Sequence, residues 1–122
     1  PEAFKALLKR VHQLGINPLF VETLNAGYPL YKSRILPLNP LLSPDWDPLQ
    51  VAVETGHQLG MEVHAWVWCF AVGNVRHNAI VNQPPDYAGP VLVEKGMMPE
   101  ALRGAAGNLI PRKGVQHEYW LS

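Results

Sequence analysis

The sequence has 122 residues, which is enough for one domain with a buried core. Its ten basic residues balance its ten acidic ones and only 16% of residues are charged. This composition argues against a nucleic-acid or anionic-membrane partner and favours a protein or small molecule. No apolar run approaches the roughly 20 residues that span a bilayer. The single cysteine excludes an internal disulfide and a cysteine-cluster zinc site.

The first predicted elements are a helix over residues 3–14 and a strand over residues 17–22. Apolar residues fall at helical i, i+3, i+4 and i+7 spacing, and Gly15 is placed to end the helix. The strand INPLFVE follows, with Pro18 near its start, where a missing N–H costs the ladder least. The residues of the expected helix face are Phe4, Leu7, Leu8, Val11 and Leu14.

A second unit of the same kind begins 45 residues later, since the letters HQLG at His12 recur at His57. Asp47 is a favourable N-cap and Pro48 suits the first turn, so a helix is expected over residues 48–59. Gly60 ends it and MEVHAWVW predicts a strand over residues 62–68. Two successive helix, glycine and strand units predict neighbouring parallel strands with helices packed outside.

The loop lengths favour a (β/α)8 TIM barrel within the α/β class. Long connections over residues 23–46 and 69–108 follow the strands, and one or two residues join each helix to its strand. Barrels place their chemistry at that strand exit, whereas a dinucleotide-binding fold lacks its GxGxxG here. Two strands cannot close a barrel, and 69–108 shows no periodic element of its own. We therefore expect residues 1–122 to be part of one barrel domain, incomplete at both ends. A hairpin is expected over residues 108–121.

Three stretches carry a resemblance to a known family: NPLFVETLNAGYPLYKSRI, WDPLQVAVETGHQLGMEVHAWVW and GNVRHNAIVNQPPDYAGPVL. In this order and spacing they resemble the glycosyl-hydrolase-like barrels related to glycoside hydrolase family 10, over most of residues 4–93. The chain departs from many members at Glu22 and Leu24, where glutamine and arginine are usual, and at Trp68-Cys69, where Asn-Pro is usual.

The resemblance implies a carbohydrate-active barrel that hydrolyses a polysaccharide or a bacterial cell-wall glycan, in an extracytoplasmic location. The family's acidic strand motif would lie beyond Ser122, so this segment alone is expected to be inactive. It is also expected to self-associate, because a partial barrel leaves apolar faces and strand edges uncovered. The alternative is a non-catalytic glycan-binding barrel. No cofactor is expected.

Strand alternation places three candidate sugar-binding residues on one face of the second strand and small apolar residues on the other. The first face carries His64, Trp66 and Trp68. The second carries Val63, Ala65 and Val67 and is expected to pack on the surrounding helices. Aromatic rings at a strand exit stack on the apolar face of a sugar. The alternative is that His64 is a hydrogen-bonded core residue and the tryptophans fill the barrel.

Glu22 is the carboxylate at a predicted strand exit and is the candidate catalytic residue. Glycoside hydrolysis normally uses two carboxyl groups, about 5 to 9.5 Å apart, and the sequence offers no convincing second one. Glu22 is therefore a candidate either for catalysis or for binding substrate hydroxyls. The structural alternative is an ion pair with Arg34 or Arg76.

The remaining substrate-binding candidates lie in the loops, where binding residues of barrels concentrate. Solvated loop polarity is the alternative for all of them. The histidines lack the spacing of a zinc site, and Cys69 is expected to be a small buried apolar residue. These loop candidates are Asn25, Tyr28, Tyr31, Asn74, Arg76 and His77.

Overall fold

The computed structural model describes residues 1–109 and 118–122, and their strands form two sheets. A three-stranded sheet has the order β2-β1-β3, and a two-stranded sheet pairs β4 with β5. In chain order the elements are α1 (Glu2–Gln13), β1 (Leu19–Asn25), β2 (Tyr28–Pro29), α2 (Pro48–Gln58), β3 (Val63–Val67), β4 (Ala71–Asn74), α3 (Val75–Asn78), α4 (Pro90–Val93), a 3-10 turn (Met98–Glu100) and β5 (Glu118–Trp120).

Both predicted helices are confirmed to within one residue at each end. The Asp47 side chain caps α2 by accepting a hydrogen bond from the Gln50 backbone N–H at 2.9 Å. Gly60, with φ +72°, lies just past the end of α2 and takes the left-handed conformation that glycine tolerates. Side-chain capping and a terminal glycine thus set the limits of α2.

The second helix, α2, packs closely on the three-stranded sheet at Gly56. A Cβ added at Gly56 would lie 2.6 Å from Val63 Cγ2, so α2 approaches β3 closely at this point. Val63 therefore faces the helix, as strand alternation predicted. Ala65 and Val67, further along β3, are exposed.

The two predicted strands are neighbours and run parallel, as expected, with Glu22 opposite Trp66. β1 begins at Leu19 instead of residue 17, and the reason is local. Pro18 has no N–H to donate, and the Asn17 side chain accepts from the Glu62 backbone N–H at 2.8 Å. The bond joins the entry of one strand to the entry of the other.

β1 also ends later than predicted, at Asn25, because it turns directly into a second strand. Ala26 and Gly27 both have positive φ, 50° and 79°, as the two central residues of a type I′ hairpin do. Tyr28 then pairs antiparallel with Asn25. The long connection after this strand therefore begins at residue 30.

Residues 69–108 show no periodic element in the sequence, yet the structure places short regular elements there. This stretch holds β4, α3, α4 and the 3-10 turn, none longer than four residues. Elements this short repeat a hydrophobic period too few times to be recognised in the sequence. They enclose a buried cluster made of Val72, Ala88, Leu92, Ala101 and Tyr119.

The turn of the predicted hairpin lies outside the described residues, since residues 110–117 are not among them. In the described part, β5 pairs antiparallel with β4, and Leu109 forms a bridge with Arg103. The (β/α)8 barrel stays a prediction. Across residues 1–109 and 118–122, no helix has the length and apolar character needed to cross a bilayer.

Candidate functional site

The predicted catalytic residue Glu22 and the predicted sugar-binding residue Trp68 lie in direct contact. The Trp68 indole Nε1–H donates to Glu22 Oε2 at 3.0 Å, and the Asn25 amide donates to Glu22 Oε1 at 3.1 Å. The two bonds come from two adjacent strands, because Asn25 ends β1 and Trp68 follows β3. Three of the predicted site residues thus meet at the exit of the parallel strand pair.

Trp66 extends this cluster along the same face of β3. Its ring stacks on that of Trp68, with centroids 5.9 Å apart and planes inclined by 19°. Trp66 is 51% exposed, whereas Trp68 is only partly exposed. Whether Trp66 lines the interior of a barrel or faces a ligand stays a prediction.

His64 continues the face toward the strand entry, next to a residue that sequence analysis did not select. Its ring stacks on Phe20 at 5.1 Å, and its Nε2 lies 3.2 Å from Glu62 Oε2. Phe20 is 66% exposed and sits opposite His64 in the parallel register. Phe20 shares the face of Glu22 because strand side chains alternate, and this period-two relation was the signal that would have found it.

Tyr28 and His77 bring a second loop to the neighbourhood of Asn25. Tyr28 pairs with Asn25 across the hairpin, and its ring meets that of His77 edge-on at a centroid distance of 6.5 Å. Burial raises the pKa of the Tyr28 phenol. The hairpin and α3 are therefore packed together beside the cluster.

Tyr87, which sequence analysis did not select, donates its hydroxyl to Glu94 Oε1 at 2.7 Å. Burial, followed by this hydrogen bond, raises the pKa of the Tyr87 phenol well above its usual value. Asn78 holds the loop that leads to Tyr87, because its side-chain amide donates to the carbonyl oxygens of Pro85 and Tyr87. This polar loop is thus fixed by its own contacts.

The other predicted loop residues have separate surroundings, and their binding role stays a prediction. Asn74 is buried, and its Oδ1 accepts from the His77 backbone N–H at 3.0 Å, which caps α3. Arg76 is exposed on α3, and Tyr31 is partly buried just after β2.

The structure contradicts the predicted burial of Cys69 and, in the part of the chain it describes, does not show the ion pair considered for Glu22. Cys69 is exposed, not buried, because it lies past the end of β3 in the turn that leads to β4. Within residues 1–109 and 118–122, Glu22 has hydrogen bonds to Asn25 and Trp68 and no arginine partner. The carboxylate is thus held by neutral donors.

The cluster combines a carboxylate that accepts hydrogen bonds with a partly exposed indole surface. Carboxylate oxygens have further lone pairs for O–H donors, and an indole face packs on flat apolar surface. Among the residues that the structure describes, no three His, Cys, Asp or Glu side chains gather as metal ligands do.

A cavity of about 320 Å³ lies beside the cluster, between α1, β1, the start of α2 and the connection after β2. Its lining is apolar apart from Glu22, which also borders the cluster. A sugar hydroxyl needs polar partners when it is buried, so the cavity is a poorer sugar site than the exposed face. It is lined by Phe4, Val21, Glu22, Leu30, Leu42, Trp46, Pro48 and Leu49.

Comparison with known proteins gives a partial match. No family model matches the chain. It is 34% identical to the protein named glycosyl hydrolase DigH of Escherichia coli K12, in a 91-residue alignment that covers 64% of this chain and 21% of the relative. The protein of the same name from Shigella flexneri matches equally well. The chain, which spans about a fifth of the length of these curated relatives, is therefore similar over part of its length to proteins named glycosyl hydrolases.

Proposed function

We propose that this chain contributes part of the substrate cleft of a glycoside hydrolase with a (β/α)8 barrel. The full-length protein would hydrolyse glycosidic bonds in a polysaccharide or a bacterial cell-wall glycan. The observation that carries the proposal is the hydrogen bond between Trp68 and Glu22 at the exit of two adjacent parallel strands. Barrel enzymes build their sites at this end of the strands.

The chemistry of the cluster supports a carbohydrate ligand. Sugars present an apolar C–H face, which packs on an aromatic ring, and hydroxyl groups, which donate to a carboxylate. Trp66 supplies the ring and is half exposed, and Glu22 supplies the acceptor on the strand directly opposite. The partial similarity to proteins named glycosyl hydrolases agrees with this ligand class.

The uncovered sheet face supports the barrel part of the proposal. Phe20, His64 and Trp66 lie on the face of the first sheet opposite to the one that packs on α2, and all three are exposed. In a closed barrel, such a face lines the interior and the strand exits form the cleft. Further strands of the full-length protein would then close around this face, with Trp66 near the cleft.

The first test replaces Glu22 in the full-length protein and measures both glycan binding and release of reducing ends. If Glu22 takes part in the reaction, Glu22→Gln lowers kcat by orders of magnitude, because a catalytic carboxylate acts mainly in the transition state. If Glu22 only accepts substrate hydroxyls, the loss is mainly in affinity. Glu54→Gln, on the exposed side of α2, is the matched control and leaves both quantities unchanged.

Trp66→Ala tests the stacking surface in the same assays. The loss of one ring-to-sugar contact is expected to weaken binding by about fivefold or more, which corresponds to about 1 kcal/mol. Leu7→Ala is the control, because Leu7 is 53% exposed on α1 and is not part of the cluster. Binding without any turnover would favour the glycan-binding alternative. If neither Glu22→Gln nor Trp66→Ala alters binding or hydrolysis of any glycan, the cleft has been assigned to the wrong residues.

A further inference from the structure

The carboxylate of Glu22 receives one hydrogen bond on each oxygen, and the two donors come from different elements. Asn25 Nδ2 donates to Oε1 at 3.1 Å and Trp68 Nε1 donates to Oε2 at 3.0 Å. Both distances are those of well-formed N–H···O hydrogen bonds. One donor on each oxygen fixes the rotation of the carboxylate plane, which a single donor would leave open.

The indole donor is itself held by the sheet. The Trp68 backbone N–H donates to the Leu24 carbonyl at 3.1 Å, which extends the parallel pairing beyond β3. The Trp68 ring stacks on Trp66. The position of the indole N–H is therefore set by the backbone ladder at one end of the side chain and by ring packing at the other.

We propose that Trp68 and Asn25 are positioning residues that orient the Glu22 carboxylate, and that Trp66 is the ring which faces the ligand. The indole N–H of Trp68 and one amide N–H of Asn25 already donate to Glu22, whereas Trp66 is 51% exposed. This division of roles differs from the sequence prediction, in which Asn25, Trp66 and Trp68 all contact the sugar. Only the ligand part of the inference rests on the proposed function.

Orientation of the carboxylate matters because reacting or binding groups must be held close to their productive geometry. The oxygens keep acceptor sites beyond those used by the two N–H donors. A carboxylate clamped in this way presents the remaining lone pairs in a fixed direction. Loss of the Trp68 N–H should therefore act through Glu22 and leave ring stacking in place.

The clamp is tested first by NMR of the full-length protein, with tryptophan indole groups labelled with ¹⁵N. The Trp68 indole signal is identified by its disappearance in Trp68→Phe. In Glu22→Met, which removes the acceptor at similar side-chain length, this signal is expected to shift upfield. Glu54→Met is the control and leaves it in place. An unmoved Trp68 signal in Glu22→Met would overturn the clamp.

The second measurement is a double-mutant cycle on glycan binding and turnover. Trp68→Phe keeps a ring for stacking but removes the donor, and is expected to lower turnover or affinity at least about tenfold, as for a lost hydrogen bond to a charged group. The same substitution is expected to have little further effect when Glu22 is already methionine, because that variant has removed the acceptor of the pair. Independent, additive effects of the two substitutions would count against the clamp.

Trp46→Phe is the matched control for the loss of an indole N–H. The Trp46 Nε1 is buried and has no hydrogen-bond partner among the described residues, so its removal is expected to leave activity unchanged. The two measurements also separate the two proposals. A shifted Trp68 signal without any glycan response would keep the clamp and reject the function. If glycan binding depends on Glu22 and Trp66 but the Trp68 signal does not move in Glu22→Met, the proposed function is kept and the clamp is rejected.

Discussion

The repeat region, residues 2–67, and the C-terminal region, residues 71–109 and 118–121, differ in how they bury their apolar side chains. The repeat region has the long periodic helices and the parallel strands, yet Leu14, Phe20 and Trp66 are 70%, 66% and 51% exposed. The C-terminal region has elements of three or four residues, yet it encloses a buried cluster that includes Leu92 at 0% exposure.

The difference shows that a clear hydrophobic period does not imply a closed core. A parallel sheet with helices on one face still has a second face to cover. In the C-terminal region, Gly73 and Gly89 leave no room for a Cβ, so β4 and the segment before α4 lie close together. This close approach lets the short elements cover their own apolar residues. The uncovered face of the repeat region agrees with the proposal that more of a barrel lies against it.

Truncation of the most buried side chain should give the largest stability loss. Leu92→Ala is expected to lower the free energy of unfolding by about 2–5 kcal/mol, because it leaves a cavity in the buried cluster. Urea denaturation measures the change. Val93→Ala, at a neighbouring position that is 49% exposed, is expected to cost much less. Equal losses would mean that the C-terminal region has no closed core.

A methyl group added at Gly73 should give the next largest loss. A Cβ at this position would collide with the Ala88 carbonyl oxygen, so β4 or the segment before α4 must shift. The expected destabilisation is about 1–3 kcal/mol. In Gly96→Ala, nothing lies near the added Cβ and only the positive φ of 70° is strained, so the cost should be about 1 kcal/mol. Thermal unfolding of both variants gives the comparison.

Removal of the α2 cap tests a local feature of the repeat region. Asp47→Ala is expected to cost about 1 kcal/mol, because the Gln50 backbone N–H loses its acceptor. The Lys32 backbone N–H also loses its bond to Asp47 Oδ2, which is 3.1 Å long. Asp47→Asn keeps a capping oxygen and should retain most of the stability in urea denaturation. If both variants lose equally, the charge and not the cap is responsible.

Phe20→Ser should have the smallest effect on stability and a clear effect on association. Since Phe20 is 66% exposed, the stability change is expected to stay within about 0.5 kcal/mol. Exposed apolar patches promote association, so sedimentation of this 122-residue chain should show less self-association in the variant. Ile35→Ser, at a residue 73% exposed in a loop, is the control. Self-association unaffected by Phe20→Ser would show that this face is not the contact surface.

The sequence by itself determined the elements whose signals are local. Helical spacing, the Asp47 cap and the following glycines predicted α1 and α2 to within one residue. The repeated helix, glycine and strand order predicted the parallel neighbours β1 and β3, and strand alternation placed Trp66 and Trp68 on one face. These features depend on residues close together in the chain, so they can be predicted from the sequence.

Only the tertiary structure decided which partners these side chains have. The Trp68 indole and Glu22 are 46 residues apart in sequence, and neither residue type requires the other as a partner. The pairing of β4 with β5 and the cluster around Leu92 depend on contacts between segments too short to show a period. Cys69 was misassigned for the same reason, since burial depends on what the rest of the chain places over a residue. Local pattern fixes an element, whereas long-range packing fixes its neighbours.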